Sequence, residues 1–161
     1  MEKLKIETTL DVYESVSELP QEIQELMNKA QQAREKAYAP YSSFKVGAAM
    51  QLANGEVVLG NNQENAAFPS GLCAERVAIF YAGATYPGVA IHNIALTVRS
   101  LEHKVDSPTP PCGACRQAIA EYEINQKCPI NIYFMGETGK VVKAEGIKVL
   151  LPFIFDNTFL K

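Results

Sequence analysis

The chain has 161 residues, 47% of them hydrophobic and 20% charged. That length fits one domain able to bury roughly two thirds of its unfolded surface, so neither disorder nor a disulfide-built miniature is indicated. A formal charge of −3, with lysines and arginines scattered, offers no phosphate-tracking stripe and argues against nucleic acid as a partner. No run approaches the length of about 18 apolar residues that a membrane span needs, and Met1-Glu2-Lys3-Leu4-Lys5-Ile6 lacks a signal-peptide core, so the expected location is the cytoplasm with no membrane contact.

A single domain is expected over residues 1–161, with 1–19 as an N-terminal extension in which 3–13 could form an edge strand. After Pro20, the apolar residues Ile23, Met27, Ala30, Ala33 and Ala37 recur at helical spacing until Pro40 stops them. Residues 44–52 and 56–59 read as two strands joined through Asn54-Gly55, a hairpin turn signal. The Asn- and Gly-rich stretch 60–71 has no clean period and reads as a functional loop.

A helix is expected from about Cys73, with Ala74, Val77, Ala78 and Tyr81 on its apolar face and Pro87-Gly88 beyond its end. Then come a buried strand at 90–98, a loop at 107–111, a short helix at 112–122, and strands at 130–134 and 141–144. Strands alternating with helices imply an α/β layer architecture. Right-handed crossovers would lay the two later helices side by side on one sheet face, their starts together where ligands usually bind.

Those two helix starts carry the chemistry. Four cysteines without a secretion signal read as metal ligands or catalytic groups rather than disulfides. Cys112 and Cys115 are three apart, so both sulfurs can face one tetrahedral ion, and Pro111 suits the helix entry. Cys73 and Glu75 are two apart and would diverge inside a helix. They can serve one ion only if it lies beyond the helix end, where both helix dipoles favour thiolates. A zinc held by three thiolates keeps a fourth position open for water, and Glu75 can move that water's protons. Arg76 is placed to donate to the sulfurs and withdraw their excess negative charge. The alternatives are a structural zinc or a redox Cys-x-x-Cys; a structural site would recruit a fourth ligand, and Cys128, His92 and His103 sit in no ligand spacing. Cys128 reads instead as a small core residue.

Three ligands of the Cys/Cys/Cys kind with a non-ligand glutamate are the pattern of zinc nucleobase deaminases. From Ala37-Tyr38-Ala39-Pro40-Tyr41-Ser42 to Leu150-Leu151-Pro152 the chain resembles the small homotetrameric cytidine deaminases. The resemblance implies a three-layer α/β/α fold with a central mixed sheet of about five strands. It implies one Zn2+ per subunit on Cys73, Cys112 and Cys115, and Glu75 as the catalytic carboxylate. By the same resemblance Phe44 stacks on the pyrimidine, Asn62 and Glu64 hold the sugar, the Ala74 amide recognises the base, and Phe155 reaches a neighbouring subunit's site. Phe44 as strand core, Gly60-Asn61-Asn62-Gln63-Glu64-Asn65-Ala66 as ordinary turn chemistry, and the tail as plain packing are the simpler readings of those residues.

The implied activity is zinc-dependent deamination of cytidine and deoxycytidine in pyrimidine salvage, on a small pyrimidine nucleoside rather than a polynucleotide. A deaminase of another aminopyrimidine nucleoside, such as blasticidin S, and a non-catalytic zinc-binding module are the alternatives. Two features depart from the family pattern: the long N-terminal stretch, and Phe153-Ile154 where small residues are usual.

Overall fold

In the computed structural model, which describes residues 1–160, strand β1 (Asp11–Tyr13) precedes helix α1 (Gln21–Glu35). There follow β2 (Phe44–Leu52), β3 (Val57–Asn61), α2 (Ala74–Thr85), β4 (Ile91–Ser100), α3 (Gly113–Gln126), β5 (Asn131–Met135) and β6 (Val141–Glu145). The strands make one six-stranded sheet in the order β1-β6-β5-β4-β2-β3. Only β4 and β5 pair in parallel among the described residues; every other neighbouring pair is antiparallel.

Alternation along the strands sorts side chains onto two cores. On β2, Ala49 faces α1, where Ile23, Met27 and Ala30 pack with Ala95 and Met135. Ala48, Met50 and Leu52 face the other way, onto Ala78 and Ile79 of α2 and Ile119 of α3. The result is the expected three-layer arrangement, with the short edge strand β1 raising the sheet to six.

Because β2 runs antiparallel to both β3 and β4, those two strands point the same way, and the helices that follow them start at the same sheet edge. The close packing of α2 depends on Gly60. A methyl there would collide with the Ala74 carbonyl and lie 2.8 Å from the Ala78 amide. The first turn of α2 therefore rests directly on β3.

Several boundaries differ from the sequence reading. Helix α1 ends at Glu35, so Ala37 lies outside it; Tyr38 instead donates its amide to the Asn62 carbonyl, which pulls the chain out of helical geometry before Pro40. Its buried face also includes Leu26 and Arg34, the latter bonded to Thr97 and the Val98 carbonyl. On α2 the buried face is Ala74, Glu75, Ala78, Ile79 and Ala82, while Tyr81 is exposed. The continuous apolar run 77–82 fits several faces, and the small residues Ala78 and Ala82 allow the close approach.

Helix α3 continues four residues past 122, because its polar end is tied down. Glu123 accepts the Ile130 and Ile147 amides, and Gln126 bonds both backbone groups of Ile91. Only Asp11–Tyr13 of the anticipated 3–13 strand pairs with the sheet. Among the described residues no helix is long and apolar enough to cross a membrane.

The Gly60 contact makes a stability prediction. Gly60→Ala should cost about 1–3 kcal/mol in urea unfolding, whereas Gly55→Ala, in open space, should lose less and only through its positive φ of 88°. Equal losses would show that α2 does not depend on this approach.

Candidate metal centre and binding pocket

Cys73 and Cys112 are the residues immediately before α2 and α3, both extended, at φ/ψ of −69/154° and −66/168°. Their sulfurs are 3.8 Å apart. Cys115, buried one turn inside α3, places its sulfur 3.5 Å from that of Cys112. All three sulfur atoms lie within 4.8 Å of one another, and all are free thiols.

A tetrahedral zinc with Zn–S bonds of about 2.3 Å holds its sulfurs about 3.8 Å apart, so this donor set fits zinc. No other His, Cys, Asp or Glu among the described residues joins the cluster. Cys128 is half-buried against Gln126, His92 lies on β4, and His103 follows it in a loop, bonded to Ser100. Three protein ligands and an open fourth position is the pattern of a catalytic site.

Local electrostatics agree. Without a metal, a hydrogen bond from the Cys115 thiol, with help from Arg76 and Cys112, pulls Cys73 down to about 5 despite its burial. That same bond and burial push Cys115 upward, so the pair shares one proton that metal binding would release. Arg76 Nη2 lies 3.7 Å from Cys73 Sγ. Its Nε is the one buried side-chain nitrogen or oxygen without a partner among the described residues. A guanidinium held against sulfur is the counter-charge that a three-thiolate shell requires.

Glu75 is 5% exposed, and burial raises its pKa, with the Cys73 charge adding to the effect. It sits in the first turn of α2 without ligating the sulfur cluster. Such a carboxyl gives up its proton less readily than an exposed one, which suits it to hold a proton between transfers.

A cavity of about 760 Å³ opens over this centre, lined by Cys73, Glu75 and Cys112 on one side and by Phe44, Asn62 and Glu64 on the other. The volume suits a small molecule. Asn62 bonds the β2 backbone on both sides of residue 45: it accepts from Val46 N at 2.7 Å and donates to Phe44 O at 2.9 Å. One N–H and one lone pair remain to it. Glu64 accepts from Ser42 Oγ at 2.5 Å and from the amides of Tyr41 and Ser42. Burial is the largest single influence and pushes upward, but these three bonds together outweigh it and hold Glu64 below the usual carboxylate range.

Two anticipated residues stand apart. The Ala74 side chain is fully buried, and only its amide, the first of α2 and without an intrahelical partner, can face the site. Phe155 lies outside the cavity, exposed and stacked on Phe159 at 5.7 Å, with its carbonyl bonded to Gln117. Ser42, conversely, was not anticipated: its hydroxyl donates to Glu64 and accepts the Phe44 amide at 3.1 Å. The signal for it was a serine two residues before Phe44, the spacing of a local hydroxyl–amide turn.

Residues 20–129 match the family described as the cytidine and deoxycytidylate deaminase zinc-binding region. A cytidine deaminase of Halalkalibacterium halodurans is 41% identical over 135 residues, covering 82% of this chain and 92% of the relative. One from Sporosarcina psychrophila is 38% identical over 136 residues, covering 84% and 93%. The crystal structure of the Burkholderia pseudomallei cytidine deaminase superposes with a TM-score of 0.71 at 38% identity, over 85% of this chain and all of that one.

Cys112→Ala should lose zinc by elemental analysis, and full retention would remove Cys112 from the ligand set. Arg76→Ala should keep one zinc per chain but weaken it about 10–100-fold in competition with a chelator; unchanged affinity would show that the guanidinium does not tune the sulfurs.

Proposed function

The chain belongs to the cytidine and deoxycytidylate deaminase family, and on that footing we propose that it deaminates free cytidine and deoxycytidine to uridine and deoxyuridine, releasing ammonia. The observation that carries this reading is one cavity lined by Cys73 and Cys112 of the three-sulfur cluster, a buried non-ligand carboxyl and the Phe44, Asn62 and Glu64 side chains. Cys73, Cys112 and Cys115 hold the metal. Zinc bound there acidifies water and so supplies a hydroxide nucleophile at neutral pH.

Glu75 moves the protons. It takes one from the attacking water and delivers it to N3 of the base. It then carries the proton of the new C4 hydroxyl to the amino nitrogen. Water enters, the C4–N bond breaks, a carbonyl forms at C4, and ammonia leaves. Burial suits Glu75 to this work, because a raised pKa lets one carboxyl act as base and then as acid. The free amide of Ala74 and Glu75 orient the base, and the Phe44 ring packs on its face.

Asn62 and Glu64 hold the sugar with the bonding capacity their internal contacts leave free. Glu64, held ionised, would repel a 5′-phosphate, and Arg76, the only lysine or arginine lining the cavity among the described residues, is turned toward sulfur. The favoured substrate is therefore the nucleoside, not the nucleotide.

The whole chain is read as one deaminase domain with residues 1–19 as an extension; the family match begins at residue 20. We place it in the cytoplasm, in pyrimidine salvage, as a homotetramer with one zinc per subunit. Support for assembly comes from the exposed Phe153, Phe155, Phe159 and Leu160 of the tail and from Phe80 beside the groove between α2 and α3. In that assembly Phe155 completes a neighbour's pocket.

Glu75→Gln should keep zinc and fold yet lose turnover by orders of magnitude; near-full activity would remove Glu75 from proton transfer. In steady-state comparison, cytidine and deoxycytidine should exceed deoxycytidine monophosphate and blasticidin S in kcat/KM by at least tenfold. Preference for the monophosphate would overturn the sugar-loop reading.

A further inference from the structure

Residues 1–10 run without a turn or bend, and all ten are exposed. They continue into β1, which is the end strand of the sheet and leaves its outer backbone edge unpaired. Along this segment Leu4, Ile6, Leu10 and Val12 alternate with Lys3, Lys5, Glu7, Thr9 and Asp11. The four apolar side chains are 79%, 45%, 40% and 56% exposed, a one-sided stripe at strand period that nothing in the chain covers among the described residues. Val12 pairs with Val142, which belongs to the core on the α2 and α3 side, so the stripe prolongs that sheet face beyond its edge.

We propose that residues 3–13 pair antiparallel with the same residues of a second copy of the chain, with Thr8 on the two-fold axis. In this register Ile6 lies opposite Leu10, Leu4 opposite Val12, and Lys5 opposite Asp11, each pair occurring twice by symmetry. The charges select it. A shift of two residues one way sets Glu7 against its own copy; the other way sets Glu7 against Asp11 and Leu4 against Glu14. A shift of one residue turns the apolar stripe of one copy onto the charged row of the other. Opposite charges and apolar pairs directly across a ladder stabilise it, and a self-complementary patch closes on a two-fold. Both partners can be recruited: the Asp11 carboxylate is 60% exposed and its contact with Lys143 is long at 3.9 Å, and the contact of Lys5 with Glu7 lies wholly at the surface, where an ion pair is worth little. The interface does not involve the pocket and stands independently of the deaminase reading.

The test uses the full-length, zinc-loaded chain carrying Thr8→Cys, oxidised mildly and followed on non-reducing denaturing gels. Across the axis the two Cα atoms of position 8 would lie about 5 Å apart, within disulfide reach, whereas those of position 9 would be about 8 Å apart. Thr8→Cys should form a linked dimer at least tenfold faster than Thr9→Cys. Adding Lys5→Glu should slow it about tenfold, Lys3→Glu should leave it unchanged, and Lys5→Glu with Asp11→Lys should restore it. Equal rates at positions 8 and 9 would mean mobile ends colliding and would overturn the proposal, as would absence of the dimer or failure of the charge exchange to restore it.

Discussion

Two helices starting side by side at one sheet edge are the constraint from which the site follows. A cysteine just before each helix has extended backbone and points past the helix end, so the two can meet without bending either helix. The third, one turn inside α3, closes the triangle. This arrangement holds only because β3 and β4 run the same way and because Gly60 lets the first turn of α2 lie on the sheet. A side chain at residue 60 would push away the turn that carries Cys73, Glu75 and Arg76.

The same helix starts set the charge balance. Three sulfurs near one point are tolerable only with compensation, which comes from amide-rich helix N-termini and from a guanidinium 3.7 Å from Cys73 Sγ. Glu75 shares that turn but faces the cavity from a buried position, so its charge is disfavoured while that of Cys73 is favoured. One turn of helix, with the residue before it, thus carries a sulfur of the metal-binding cluster, a buried carboxyl and a guanidinium. The opposite wall is braced differently: Asn62 and Glu64 are tied to the chain between Tyr41 and Val46, which fixes the backbone that carries Phe44 into the cavity.

The metal triad, Glu75 and the layer order were legible because they rest on local spacing: Cys-x-x-Cys at a helix entry, Cys-x-Glu-Arg at another, and strands alternating with helices. What stayed hidden depends on contacts distant in sequence. Helix α1 stops early because Tyr38 bonds Asn62, and α3 runs on because Glu123 holds residues 130 and 147. The buried face of α2 was ambiguous because residues 77–82 are apolar all round. The part that Asn62 and Glu64 play as internal braces with bonding capacity to spare could not be read from a loop of Asn and Glu alone. The N-terminal stripe was legible as a strand pattern, but only the sheet order showed that it lies at a free edge.

Zinc on this cluster is expected to have three protein ligands, all sulfur, and a fourth position open to solvent. X-ray absorption at the zinc edge on the loaded protein measures this directly. Three sulfur scatterers at about 2.3 Å with one oxygen at about 2.0–2.1 Å is the expected shell, and addition of a cytidine analogue should perturb the oxygen alone. A four-sulfur shell, or one unchanged by any nucleoside, would contradict the account and mark the zinc as structural.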